Sequence, residues 1–277
     1  MEKTTDMART PELDRDIFRL IEETDRRCTE IERAGLSPEE RLQRGMRSIE
    51  VAGTRIDLQG ASAGNRVGRV DAFGFERTVM RCDFDEILGR LIEEQVVTIR
   101  FRGLPGDQAK TIAGWLAATG FTRRFRERFW IASTVDAPDP SGSFDIRSVS
   151  TGDLPAFVRI IAVNYRFDPG RDLEAFAREF HGPENACFMA YENGEPIATG
   201  RLLRSGAACI FGYGTTMSRH RKRGIQSEMI AARLRYARDS GCLWATASTW
   251  GSDRSSRNLA RQGFREAYEA PVYTRTA

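Results

Sequence analysis

Ser218-Arg219-His220-Arg221-Lys222-Arg223-Gly224-Ile225-Gln226-Ser227 follows an apolar stretch over 208–217 that reads as a strand, and it opens an amphipathic pattern that predicts a helix over 225–239. A strand, a basic glycine-containing turn and a helix start in that order make an anion cradle. The first helical turn leaves backbone N–H groups unpaired, and the helix dipole favours negative charge beside them. Gly224 lets the backbone come close to such a ligand because it carries no Cβ. Arg219, Arg221, Lys222 and Arg223 add attraction for a diphosphate.

Around this loop the chain alternates strand and helix patterns. Upstream lie a short strand at 144–147, helices over 154–165 and 173–180, and strands at 187–192 and 197–204 joined by an Asn193-Gly194 hairpin turn. Downstream come a strand at 243–249, a short helix over 255–261 and a last strand through 272–274. Two prolines and small residues over 136–143 cannot continue a ladder or a helix, so that segment reads as a linker. The class is α/β with a mixed sheet.

The pattern Arg221-x-x-Gly224-x-Gln226 resembles the coenzyme A pyrophosphate loop of the GNAT superfamily of acyl-CoA-dependent N-acyltransferases, with Gln226 where that family has a small residue. The element order over 144–277 resembles the GNAT fold, as does the Gly263-Phe264 pair after the last short helix. The first half echoes the same plan. Strands at 54–58 and 67–75, a helix over 76–94, a strand at 96–101, a helix over 108–118, Gly120-Phe121 and a strand at 125–133 follow in order. Two helices precede them, one from Pro11 to about Gly35 and one capped by Ser37-Pro38-Glu39-Glu40. Phe75-Glu76-Arg77-Thr78 offers neither glycine nor a cationic turn, so the expectation is a tandem protein. Residues 1–135 would form a degenerate GNAT-like domain, 136–143 the linker and 144–277 the GNAT domain.

The resemblance implies acetyl-CoA, or another acyl-CoA, as co-substrate. Gly214, Thr215 and Thr216 would pair with the pantetheine arm as an added strand, and a main-chain N–H near Thr216 would face the thioester oxygen. Backbone N–H groups of Lys222, Arg223, Gly224, Ile225, Gln226 and Ser227 would hold the pyrophosphate, and Asn258 would contact the donor. The long Gln226 side chain is expected to point away from the phosphates.

Proton transfer is less legible. The tyrosine that commonly protonates the leaving thiolate in this family corresponds to Leu259, which has no proton to give, and the strand 243–249 carries no carboxylate. Tyr268 and Tyr213 are the nearest phenols, each readable as catalytic or as packing. His220 reads as a neighbour of the ligand, His181 as a helix-end histidine, and Tyr165, Arg166 and Phe167 as either an acceptor wall or a helix terminus.

Composition narrows the rest. The chain has 277 residues, a net charge of +3 and only three lysines, Lys3, Lys110 and Lys222, so arginine at any one site carries little information. The near-neutral balance argues against a general nucleic-acid surface. Five scattered cysteines lack metal-ligand spacing and read as buried thiols in a reducing compartment. No metal is expected. No N-terminal apolar segment and no apolar run of ~20 residues is present, so the expectation is a cytoplasmic protein without membrane contact. The expected acceptor is a primary amine of a small molecule or peptide, and a homodimer stays open. The rival reading is a non-catalytic acyl-CoA-binding regulatory protein.

Overall fold

The computed structural model describes residues 14–60, 66–75, 77–102, 106–166, 172–251 and 253–275. The opening tail, Asn65, Glu76, the Gly103-Leu104-Pro105 turn and Phe167 lie outside the described residues. The first half comprises α1 (Arg15–Ala34), α2 (Pro38–Gln43), β1 (Arg47–Val51), β2 (Thr54–Gln59), β3 (Val67–Val70), α3 (Arg81–Glu93), β4 (Thr98–Phe101), α4 (Gly106–Ala117) and β5 (Thr122–Ser133). The second comprises β6 (Asp145–Ser148), α5 (Leu154–Tyr165), α6 (Leu173–Arg178), β7 (Asn185–Glu192), β8 (Glu195–Ser205) and β9 (Ala208–Thr216). It continues with α7 (Ile225–Asp239), β10 (Trp244–Trp250), α8 (Asp253–Arg261) and β11 (Arg265–Thr274).

Local chemistry sets the element ends. Asp14 accepts from the Asp16 and Ile17 N–H groups to start α1. Ser37 and Glu40 close a capping box on α2 with Pro38 in its first turn. Asp172 caps α6. Three expectations shift. β1 was not anticipated, because only Ile49 and Val51 alternate on a mostly exposed edge. β3 stops at Val70, and α3 begins at Arg81 rather than at residue 76. The last strand, expected to run through 272–274, already begins at Arg265.

The eleven strands of the described residues form one sheet in the order β1-β2-β3-β4-β11-β5-β10-β9-β8-β7-β6. The two halves follow the same course: β2 and β3 antiparallel, then α3, then β4 parallel to β3; β8 and β9 antiparallel, then α7, then β10 parallel to β9. Their final strands are exchanged. β11 lies between β4 and β5, and β5 lies between β11 and β10, so each half's last strand pairs with the other half's penultimate one.

Helices cover both faces. α7 and α8 bury Met229, Leu234 and Leu259 against Phe188, Leu202, Phe211 and Ala245. On the other face α5 and α6 pack Phe157, Ile161, Phe176 and Phe180 over Cys187 and Met189. α3 and α4 do the corresponding work in the first half with Phe84, Leu91, Ile112 and Leu116. α1 spans the junction: Phe18 and Ile21 sit on Phe129, Ile131 and Tyr268, and the buried Cys28 thiol faces the Leu203 carbonyl of β8. Below α1 the first half's sheet is ionic rather than apolar. Arg69 reaches Asp25 at 2.7 Å, Asp57 at 2.5 Å and Asp71 at 2.9 Å, and Arg102 reaches Asp25 at 2.6 Å.

Candidate active site

β9 and β10 pair only as far as Phe211 and Ala247, while β9 runs on to Thr216 and β10 to Trp250. Past that point the strands part, and the β9 edge from Gly212 onward has no strand beside it on the β10 side. A bulge at Tyr213, with φ of 50°, bends β9 there, and the Thr199 hydroxyl donates to the Tyr213 carbonyl at 3.0 Å. The splay opens into a cleft of about 570 Å³.

The chain leaves β9 through a short 3-10 turn over Ser218–His220 and enters α7 at Gly224. Gly224 has φ of 87°, and a Cβ there would meet nothing within 4 Å. The left-handed backbone is by itself a reason for glycine at this position. Lys222 shares the positive φ, at 66°. No side chain caps α7. The N–H groups of Lys222, Arg223, Gly224, Ile225 and Gln226 have no hydrogen-bond acceptor among the described residues, whereas Ser227 N–H bonds the Gly224 carbonyl at 2.9 Å. Five free donors converge on one concavity at the positive end of a helix.

Neighbouring side chains hold this turn open. Arg221 donates to the Thr216 carbonyl at 3.0 Å and to Asn164 at 2.8 Å, tying the loop to β9 and α5. Glu192 accepts from Arg223 and faces His220 at 3.0 Å; the bond to Arg223 draws its carboxyl below the usual range. His220 also accepts from Arg219 at 2.8 Å, which leaves it braced on both sides. The Gln226 amide points away from the loop, donating to the Thr215 carbonyl at 2.8 Å and to the Thr216 hydroxyl at 2.9 Å.

Gly214, Thr215, Thr216, Lys222, Arg223, Gly224, Ile225, Gln226, Ser227 and Asn258 all line this one cleft. The opposite wall is α8, which contributes Arg254, Arg257 and Arg261. These three cations were not singled out in the sequence, although their i, i+3, i+7 spacing places them on one helical face. The abundance of arginine throughout the chain hid the signal. No carboxylate lines the cleft among the described residues.

The two phenols separate. Tyr268 does not reach the cleft: it is 9% exposed, stacks on Phe129 at 4.5 Å and donates its hydroxyl to Glu22 of α1. Burial, with the adjoining Glu22, pushes its pKa well above the usual value, and burial lifts Glu22 to about 7. Its reading as thiolate acid is thereby corrected: the strand that follows the Gly-Phe turn is carried under α1 by the strand exchange, and the Tyr268 ring becomes core. Tyr213 does not line the cleft either: it stands at the bulge and packs against the α5–α6 cluster, 5.1 Å from Phe180 and 6.2 Å from the half-exposed Tyr165. Leu259 is buried in the core under α8. His181 is exposed beyond the end of α6, and Arg166 ends α5 in the left-handed conformation. Among the described residues no group of His, Cys, Asp and Glu could hold a metal ion, and no helix is long and apolar enough to cross a membrane.

Residues 154–264 match the model of the Acetyltransferase (GNAT) family, so this stretch is a GNAT domain. No curated protein matches the chain in sequence. Among solved structures, a GCN5-related N-acetyltransferase from Kribbella flavida is 15% identical and superposes with a TM-score of 0.65 over 94% of this chain and 96% of its own. A GCN5-related N-acetyltransferase from Sphaerobacter thermophilus gives 14% identity and a TM-score of 0.61 over 94% and 92% of the two chains. A tandem GNAT protein from the clavulanic acid biosynthesis pathway gives 12% and 0.54 over 80% and 78%. At such identities the likeness is one of fold, and the fold is that of a tandem GNAT protein.

Proposed function

We propose that the GNAT domain over residues 154–264 transfers an acyl group, in the simplest case acetyl, from acyl-coenzyme A to a primary amine of a small molecule or peptide by direct attack. One observation carries the reading. Among the described residues, five unpaired N–H groups at the start of α7 face a cleft ringed by arginines and Lys222 with no carboxylate on its walls. A diphosphate fits that chemistry, since it accepts from backbone N–H groups and from guanidinium alike. The unpaired β9 edge offers main-chain groups to an extended arm, although the Thr215 carbonyl already accepts from Gln226.

In this reaction the neutral amine attacks the thioester carbonyl, a C–N bond forms, the C–S bond breaks, and the ammonium proton passes to solvent or a base. The thiolate leaves and takes a proton. Tyr213, beside the bulge, is the candidate donor of that proton. Positioning of the two substrates supplies the remaining acceleration. Residues 1–135 act as a partner that completes the sheet, with 144–277 carrying the donor site.

The test is coenzyme A binding by calorimetry together with thiol release from acetyl-CoA across a panel of amines. One site per chain and at least one acylated amine are expected. Binding with no amine ever acylated would move the non-catalytic acyl-CoA-binding reading ahead. No binding at all would overturn both.

A further inference from the structure

Three arginines of this chain, Arg102, Arg201 and Arg233, are each 3% exposed. Arg102 faces Asp25 at 2.6 Å and Arg201 pairs with Glu32. Arg233, on α7, has no carboxylate partner among the described residues. Its Nε donates to the Met229 carbonyl at 3.0 Å and its Nη1 to the Arg201 carbonyl at 3.1 Å, and its guanidinium lies 4.5 Å from the centre of the Phe211 ring. Nη2 donates to nothing among the described residues. A buried cation without a counter-ion is costly, and burial lowers this one's pKa to about 10, which leaves it charged at neutral pH.

Two glycines surround it, neither required by its backbone, since neither has a positive φ. A Cβ at Gly200 would stand 2.9 Å from Arg233 Cζ and Nε, so glycine there lets the guanidinium lie against β8. A Cβ at Gly214 would stand 3.1 Å from Gln226 Oε1 and 3.6 Å from Arg233 Nη2. Gly214 is exposed and lines the cleft, and Arg233, itself outside the cleft lining, lies behind it with the Gln226 amide beside the free guanidinium edge.

We propose that Arg233 binds a carboxylate carried by one of the two substrates, entering past Gly214 at the inner end of the cleft. A carboxylate is planar, accepts from guanidinium N–H groups and supplies the missing countercharge. The proposal rests on the acyl-transfer reading, and two sources share its chemistry: the far end of a dicarboxylic acyl donor, or the acceptor amine.

The experiment uses the full chain with two arms. In the donor arm, calorimetry compares succinyl-CoA, acetyl-CoA and coenzyme A on wild type, Arg233→Met and Arg233→Lys. In the acceptor arm, thiol release from acetyl-CoA compares α-amino acids with the amines that lack their carboxyl group. Wild type is expected to favour the carboxylate-bearing compound by ~10-fold or more in one arm, which identifies the source. Arg233→Met should abolish that preference while coenzyme A affinity holds, and Arg233→Lys should keep part of it. If Arg233→Met fails to melt cooperatively, a reduced preference in folded Arg233→Lys decides in favour and an unchanged one against. A wild type that binds coenzyme A yet shows no preference in either arm, or a preference that survives in Arg233→Met, overturns the proposal and leaves acyl transfer standing.

Discussion

The exit from β9 and the exit from β3 occupy corresponding places in the two halves, and opposite chemistry fills them. After β9 the strands part, the turn is cationic, and α7 begins on a left-handed glycine with its first N–H groups unpaired. After β3 they do not part, because β3 and β4 end where their pairing ends, at Val70 and Phe101, and Arg102 N–H still bonds the Val70 carbonyl. The helix that follows, α3, carries its own anion: Asp83 accepts from the Met80 N–H at 3.3 Å and is held by Arg77 at 2.6 Å. One half leaves room for a ligand's negative charge, and the other supplies that charge from its own chain. A shared fold therefore sets where a phosphate cradle can form, and a few residues at the strand exit decide whether it does.

The bluntest way to break this comparison is to separate the halves. A fragment of residues 144–277 lacks β5, so β10 and β11 lose the strand between them and the apolar residues under α1 are bared. It should lose cooperative melting by circular dichroism and precipitate or bind coenzyme A poorly. A soluble, monomeric fragment with full affinity would show that the second half stands alone.

Gly224→Glu brings a carboxylate to the β9 exit, as the β3 exit already has one. It also places an L residue at φ of 87°, at a cost of about 1–2 kcal/mol, but in open space, so the protein should still fold. Coenzyme A affinity should fall by at least ~10-fold, equivalent to ~1.4 kcal/mol, in calorimetry. An unchanged isotherm would remove the cradle from the α7 start.

The mildest test separates the two phenols. Tyr268→Phe takes a hydrogen bond from buried Glu22 and should cost about 1–3 kcal/mol of stability, seen as a lower melting temperature, with turnover intact. Tyr213→Phe should do the reverse, lowering turnover by up to ~10²-fold at unchanged donor affinity. Equal turnover in both variants would assign thiolate protonation to solvent.

Short-range features were legible and long-range ones were not. The strand–turn–helix at 208–239 and the Asn193-Gly194 hairpin are written in consecutive residues, so periodicity and turn chemistry reveal them, and α5 and α7 begin and end where their patterns do. The ten residues expected around the donor converge on one cleft for the same reason, since backbone continuity brings nine of them together. Nothing local says that Val272 will pair with Arg100, or that Tyr268 will meet Glu22. Those pairings depend on which edge remains open when the chain arrives. Placing Tyr268 by its distance from Gly263-Phe264 assumed that the last strand stays with its own half.

The exchanged strands also govern the order in which this molecule can be made. While a ribosome is still building the second half, β4 has no partner on one side and β5 lacks both of its neighbours, so the first half waits with open hydrogen-bonding edges. Closure comes only with residues 265–274, and residue 100, paired with residue 69 on one side, keeps its other edge open until residue 272 leaves the exit tunnel. Pairings of such separation slow folding and prolong the interval in which bare edges invite aggregation. A stop codon before residue 265 would therefore strand the nascent chain, the first half included.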